Sequence, residues 1–220
     1  MLILASSSKS RKKLLQNADI QFIQLASTFD ESTIKEKNII NLASELSYAK
    51  AKNTLKKIEN SNEKFKLDNS SLEVLGCDSI FEFKGKAFGK PLNNQEAYER
   101  WLLMSSNSGY LHTGHTILFC EFTNNMKEII CKKKVREVIS SKITFAKLEK
   151  NEIKNYVNSN EPLNCAGGFA LEGRGGKYIE KIDGCFSNVM GLSLPWLRRI
   201  LLNQGIYISV SYTHLTLPTK

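Results

Sequence analysis

Apolar and polar positions along the chain keep two rhythms, and their order outlines the fold. Leu2-Ile3-Leu4-Ala5 reads as a short buried strand, and after a polar break Lys12-Lys13-Leu14-Leu15 reads as helical. Ile20–Leu25 reads as a second short strand. From Ile39 to about Ile58, Leu42, Leu46, Ala49, Leu55 and Ile58 recur at roughly helical spacing, with Lys50, Lys52, Lys56 and Lys57 on other faces. The polar, Asn- and Ser-rich stretch from Glu59 to Ser71 reads as a loop. Leu72–Cys77 then reads as a buried strand that stops at Asp78-Ser79. Ile80–Phe83 and Ala87-Phe88 flank Lys84-Gly85-Lys86 as a hairpin, and Gly89-Lys90-Pro91 marks a turn. Helices are predicted at about Gln95–Met104, Glu149–Asn158 and Leu194–Leu202. Strands are predicted at Gly114–Phe122, Lys127–Lys134, Arg136–Phe145 and Tyr178–Ile182. This alternation of β and α predicts a mixed α/β fold without internal repeats.

The chain has 220 residues, enough for one domain or two small lobes with a real core. The expected domain is 1–205, with 206–220 an uncertain tail. No apolar run approaches the roughly 20 residues needed to cross a bilayer. The four-residue apolar start has no cationic region before it, so a secretory signal is not expected and the cytoplasm is the expected location. Five cysteines, Cys77, Cys120, Cys131, Cys165 and Cys185, are widely spaced without a C-x-x-C pair, which disfavours a disulfide framework or zinc knuckle. The 31 Lys and Arg against 22 Asp and Glu give a net charge of +9, which favours anionic partners. Lys132-Lys133-Lys134 reads as a solvated strand end rather than a nucleic-acid patch.

Chemistry gathers first at Ser6-Ser7-Ser8-Lys9-Ser10-Arg11. The first amides of a helix lack intrahelical acceptors, the helix dipole is positive there, and an arginine grips an oxyanion with two N–H groups. An anionic ligand or a plainly capped surface helix both fit this segment. Asp78-Ser79 follows a buried strand, at the end where ligands of α/β sheets bind. Between Gly167 and Gly176, five glycines in ten residues demand close backbone approaches. His112 and His115, three apart in a strand, fall on opposite faces, so neither a metal pair nor a base is expected from them.

Four segments together resemble the Maf family of nucleoside triphosphate pyrophosphatases. They are Leu4-Ala5-Ser6-Ser7-Ser8 through Arg11 to Leu14-Leu15, then Gly76-Cys77-Asp78-Ser79, then Gly89-Lys90-Pro91. The fourth runs from Glu161-Pro162-Leu163 through Ala166-Gly167 to Asn188-Val189-Met190-Gly191-Leu192. The resemblance covers about Met1 to Leu202. It implies a mixed twisted sheet with flanking helices, in two lobes around a nucleotide cleft. It also implies hydrolysis of the bond between the α and β phosphates of a nucleoside triphosphate, giving a monophosphate and pyrophosphate with a divalent cation, Mg²⁺ or Mn²⁺. A homodimer is the assembly it implies.

By position, Asp78 matches the family's catalytic aspartate, as base or metal ligand. An unperturbed Asp has a pKa of about 3.9, so such a base requires a raised pKa or a metal-bound water. Glu31 matches a carboxylate near the site and would join Asp78 as a hard oxygen ligand. Ser6, Ser8, Arg11, Lys50 and Lys90 match phosphate-binding positions. For Ser6 and Ser8 helix capping is the alternative role, and Lys52, Lys56 and Lys57 compete with Lys50.

Ser10, Ser79 and Glu172 stand at the base-selecting positions. The branch acting on thymidine and uridine triphosphates has arginine, threonine and glutamine there. Glu172 agrees with the branch acting on the methylated guanosine nucleotide, and Ser10 does not. A carboxylate accepts hydrogen bonds from a guanine edge, which favours a purine or a modified base. The alternative reading is a non-catalytic nucleotide or nucleic-acid binding protein in cell-division control. Against nucleic acid, Phe81, Phe83 and Phe88 read as core residues and Trp101 and Trp196 lie in amphipathic helices. Against binding alone, an aspartate at a phosphate site repels its ligand unless a metal intervenes.

Overall fold

The computed structural model describes residues 1–60, 71–123 and 128–206. The loop expected over most of 59–71, the turn around Asn124-Asn125 and the tail from Tyr207 lie outside the described residues. The strands are β1 (Leu2–Leu4), β2 (Ile23–Gln24), β3 (Ser71–Phe83), β4 (Lys86–Phe88), β5 (Ser108–Phe122), β6 (Ile129–Phe145) and β7 (Ile179–Asp183). The helices are α1 (Lys9–Asn17), α2 (Ile39–Glu59), α3 (Asn94–Met104), α4 (Lys150–Val157), α5 (Phe186–Val189) and α6 (Leu194–Leu202). All seven strands form one mixed sheet in the order β2-β1-β3-β5-β6-β7, with β4 on the free edge of β3.

Strand β3 organises the molecule. It pairs antiparallel with β5 from Ser71 to Glu82. Its other edge is shared: β1 runs parallel to Glu73–Leu75, and β4 runs antiparallel to Phe81–Phe83. Between them, Gly76–Ile80 have no strand neighbour on that side. The strand expected to stop at Asp78-Ser79 therefore continues through them. The turn preference of Asp yields to the ladder with β5, in which Asp78 sits opposite Gly114. What ends at this point is β1, not β3.

Side chains of β3 alternate between two layers, as period two requires. Leu72, Val74 and Ile80 face α2, packing on Ala51, Leu55 and Ile58 and on Ala43 and Leu46. Leu75 and Cys77 face α1 and α6, where Leu14, Leu15, Trp196, Leu197 and Leu201 close a second core. Phe81 and Phe83, on that same face, enter a third core with Trp101, Phe145, Tyr156 and Tyr178 beneath α3 and α4. Strands β3 and β5 contribute side chains to all three of these cores. Of the aromatic residues expected in the core, Phe81, Phe83, Trp101 and Trp196 are buried there and Phe88 is half-buried against it, and Lys132, Lys133 and Lys134 are exposed.

Helix α2 lies very close to the sheet. A Cβ on Gly76 would stand 2.1 Å from the Ser47 carbonyl oxygen, and one on Gly114 would stand 2.0 Å from that of Ala43. Ser47 and Thr116 share a buried hydrogen bond of 2.8 Å across this contact. The two glycines are thus space for a helix. Elsewhere the sequence expectations shift in length: β6 is one strand rather than two pieces, β5 begins six residues before Gly114, and α5 was not predicted. No helix of the described residues is long and apolar enough to cross a membrane.

Candidate active site

The chain leaves the sheet after Leu4, and Ser8 starts α1 by accepting the Arg11 amide at 3.3 Å, a standard N-cap. The Ser8 amide in turn donates to Ser6 Oγ at 3.2 Å. The Ser8 hydroxyl thus caps the helix through its oxygen and keeps its proton to donate. The amides of Ser7, Lys9 and Ser10 find no acceptor among the described residues, leaving donors at the positive end of the helix. Ser10 lies half-exposed in the first turn and makes no side-chain hydrogen bond among the described residues.

The Arg11 side chain turns inward and is only 8% exposed. Its Nε donates to the Gly191 carbonyl at 2.7 Å, Nη1 to Ser6 Oγ at 3.1 Å, and Nη2 to Ser79 Oγ at 2.9 Å. Ser79 meets Thr113 Oγ1 at 3.0 Å, and Thr113 donates to the Asn188 carbonyl at 3.3 Å. Each hydroxyl has one proton, so Ser79 donates to Thr113. A guanidinium carries five N–H groups, and three are fixed here, leaving one on each terminal nitrogen for an oxyanion. Gly191 has a φ of +98°, and a Cβ there would stand 3.0 Å from Arg11 Nε. A side chain at 191 would be strained and would press on the arginine.

Asp78 faces the other way, toward α2, where the Lys50 ammonium forms ion pairs with Asp78 Oδ1 and, at 2.8 Å, with Glu31 Oε1. Asp78 is 7% exposed. Burial pushes its carboxyl above the ordinary carboxylate range, while Lys50 and then Arg11 pull it back down. The adjacent acids Asp30 and Glu31 divide their roles: Asp30 accepts the Ser32 amide at 3.0 Å to start a short 3₁₀ turn, and Glu31 is left to face Lys50. Burial lifts the neighbouring Cys77 thiol to about 11, so it stays protonated and inert.

Lys90 follows β4 and Glu172 lies in the glycine-rich segment, both exposed and without an ion pair among the described residues. The carbonyl of Gly89 accepts the Gly167 amide at 3.2 Å, which ties the Lys90 turn to the glycine-rich segment. Both residues act on the half-buried Cys165. Burial, then Glu172 and Glu161, raise its thiol to about 11, and Lys90 opposes them.

The structure therefore joins Ser6, Arg11 and Ser79 in one network and Glu31, Lys50 and Asp78 in a second, with Lys90 and Glu172 around Cys165. Sequence reasoning gave no role to Thr113 or to the Asn188 and Gly191 carbonyls. The Asn188–Leu192 motif pointed to the region, whereas nothing marked Thr113. His112 and His115 do fall on opposite faces. His112 bonds Ser140 and Glu82, and His115 accepts the Ser193 amide at 2.9 Å.

Two carboxylates converging on a cation are hard oxygen donors of the kind Mg²⁺ and Mn²⁺ take. Among the described residues no group of three or more His, Cys, Asp or Glu converges. A metal ion would thus rest on Glu31, Asp78 and the ligand's own phosphates.

The family model for Maf-like protein matches residues 1–204. The chain is 59% identical over 201 residues to a protein named nucleoside triphosphate pyrophosphatase from Prochlorococcus marinus strain MIT 9215, covering 91% of the chain and 98% of the relative. A relative of the same name from strain MIT 9312 is 57% identical over 206 residues, covering 94% of the chain and 100% of the relative. Another, from strain SARG, is 42% identical over 212 residues, with 94% and 98% covered. The family match covers nearly the whole chain and the relatives are matched over nearly all of their own length, so the chain belongs to the Maf family.

Proposed function

We propose that this protein hydrolyses a nucleoside triphosphate between its α and β phosphates, releasing a monophosphate and pyrophosphate. The observation that carries the reading is the pair of side chains on either face of β3: a pinned Arg11 fork beside Ser79, and an Asp78 carboxylate held by Lys50. The name shared by the relatives, nucleoside triphosphate pyrophosphatase, supports the same reaction class.

In this reaction a water oxygen bonds to the α-phosphorus while the bond from that phosphorus to the bridging oxygen breaks. The water's proton passes to Asp78 and the pyrophosphate leaves with the electron pair. A carboxyl raised by burial is a better base than one in water. Arg11, the free amides at the start of α1, Lys50 and Lys90 supply fixed positive charge for a substrate with about four negative charges, which is the larger part of phosphoryl catalysis. Glu31 and Asp78 would hold a divalent ion, Mg²⁺ or Mn²⁺, which supplies further positive charge against the phosphates.

Glu172 is the candidate reader of the base, with a purine or modified base favoured, and Ser10 and Ser79 stand at the other two selecting positions. Ser79 is spent on Arg11 and Thr113, so it contributes to selection only through the arginine. A cytoplasmic homodimer completes the proposal, checked by light scattering on the purified protein.

The deciding experiment measures pyrophosphate release from a panel of natural and modified nucleoside triphosphates with Mg²⁺ or Mn²⁺, for the unaltered protein and for Glu172→Gln. Monophosphate plus pyrophosphate as products, with a base preference that moves in Glu172→Gln, is the expected result. Nucleotide binding without turnover would replace the enzyme by a binding protein.

A further inference from the structure

The glycine-rich segment carries Glu172 and contacts the Lys90 turn. Its first half is held by the buried Phe169 ring against Phe81 and Phe145 and by the Trp101 indole, which donates to the Gly168 carbonyl at 2.9 Å. Beyond Glu172, the side-chain anchor of residues 173–175 among the described residues is one carboxylate. Glu161 Oε1 accepts the Tyr156 hydroxyl at 2.8 Å and the Gly175 amide at 2.9 Å, and Oε2 accepts the Arg174 amide at 2.9 Å. These three donors come from α4 and from residues 13 and 14 positions further along the chain. The glycines over this carboxylate are space for it. A Cβ on Gly173 would lie 2.5 Å from Glu161 Oε2, and one on Gly175 would lie 2.4 Å from the Tyr156 hydroxyl oxygen.

We infer that Glu161 is a positioning residue, a clasp that closes the loop 161–175 onto α4 and so holds Glu172 beside Lys90 for nucleotide binding. No cation pairs with this carboxylate among the described residues. It is held by neutral donors, so its charge is spent on the backbone of the loop. Tyr156, 3% exposed between Trp101 and Tyr178, fixes the clasp to the third core. The carboxylate thus transmits the rigidity of that core to an exposed loop. Charge-assisted bonds to backbone amides are stronger than neutral ones, and an amide side chain cannot accept at both of its ends. The functional half of this inference rests on the nucleotide-hydrolysis reading; the structural half does not.

The test compares Glu161→Gln with the unaltered full chain by amide hydrogen exchange and by steady-state kinetics. The clasp predicts that exchange at Arg174 and Gly175 accelerates about ten-fold or more, the change expected on losing one charge-assisted hydrogen bond. It predicts a KM for the preferred nucleotide raised by a similar factor, with kcat within about two-fold, since Asp78, Lys50 and Arg11 stay in place. Tyr156→Phe, which deletes one donor, should shift both readouts the same way by less, and it decides the matter if Glu161→Gln does not fold. Unchanged exchange across 165–176 overturns the clasp, as does faster exchange with an unchanged KM. If the unaltered protein turns over no nucleotide, the proposed activity fails by itself and the exchange arm alone decides the clasp.

Discussion

Asp78 and Ser79 are adjacent in sequence and face opposite sides of the sheet, so that Asp78 meets Lys50 of α2 while Ser79 meets Arg11 of α1. One dipeptide thereby couples two helices that, among the described residues, share no direct side-chain hydrogen bond or ion pair.

Replacing Asp78 by Asn separates catalysis from stability. Removing a positioned proton acceptor is expected to lower kcat by about 10²- to 10⁴-fold. The fold raises the pKa of this carboxyl above its ordinary 3.8, so the folded state holds the proton more tightly than the unfolded chain. Ionisation at neutral pH therefore costs stability, which a neutral side chain avoids. The expected result is a Tm at pH 7.5 equal to or above that of the unaltered protein, measured by calorimetry alongside steady-state kinetics.

For Arg11→Lys the charge is kept and the fork is lost. An ammonium cannot hold Gly191, Ser6 and Ser79 and still offer two parallel donors. A drop in kcat/KM of about 10- to 100-fold follows from one or two charge-assisted hydrogen bonds. Thr113→Val, which breaks the chain from Ser79 to Asn188 without touching the arginine, should lower kcat/KM in the same direction by less.

Gly76→Ala should damage both fold and activity. The added methyl cannot fit 2.1 Å from the Ser47 carbonyl, so α2 must move off the sheet at a cost of about 1–3 kcal/mol. Lys50 rides on that helix and would leave Asp78, so kcat should fall with stability. Chemical denaturation and kinetics on the same sample check the pairing.

His115 sets an acid limit to stability. Buried against Trp196, it is held neutral in the fold, its pKa lowered from 6.5 to about 3 by burial and then by the charge of Arg11. The unfolded chain takes up a proton below pH 6.5 and the folded one does not until about pH 3. Stability therefore falls as pH falls through that window, by up to about 1.4 kcal/mol per pH unit from this group. In His115→Gln that slope should disappear from Tm measured between pH 7 and 4, although the variant is less stable at pH 7.

The elements were legible where periodicity was strong, as in α2, α3 and the β3–β4 hairpin. They blurred where pairing decided: β3 passes through Asp78 because β5 supplies a partner there, which no local pattern encodes. At the candidate site, residue type and motif order single out Arg11, Asp78 and Lys50, and the fold brings each into a buried polar network. Thr113 was not, because a threonine in a strand carries no mark of the strand face or the neighbour it will meet. At Ser8 the motif left capping and phosphate contact both open, and the structure shows the cap, which uses the hydroxyl's oxygen and leaves its proton over.

The bond from Arg11 Nε to the Gly191 carbonyl spans 180 residues. Strand β1 cannot be seated until Glu73–Leu75 exist to pair with it, and α1 stays uncovered until α6 supplies Trp196 and Leu197. During synthesis from the N-terminus, the serine-rich start is the first part made and among the last to reach its final geometry. A nascent chain shorter than about 191 residues therefore has no pinned arginine fork, and the geometry of Arg11 arrives together with completion of the fold.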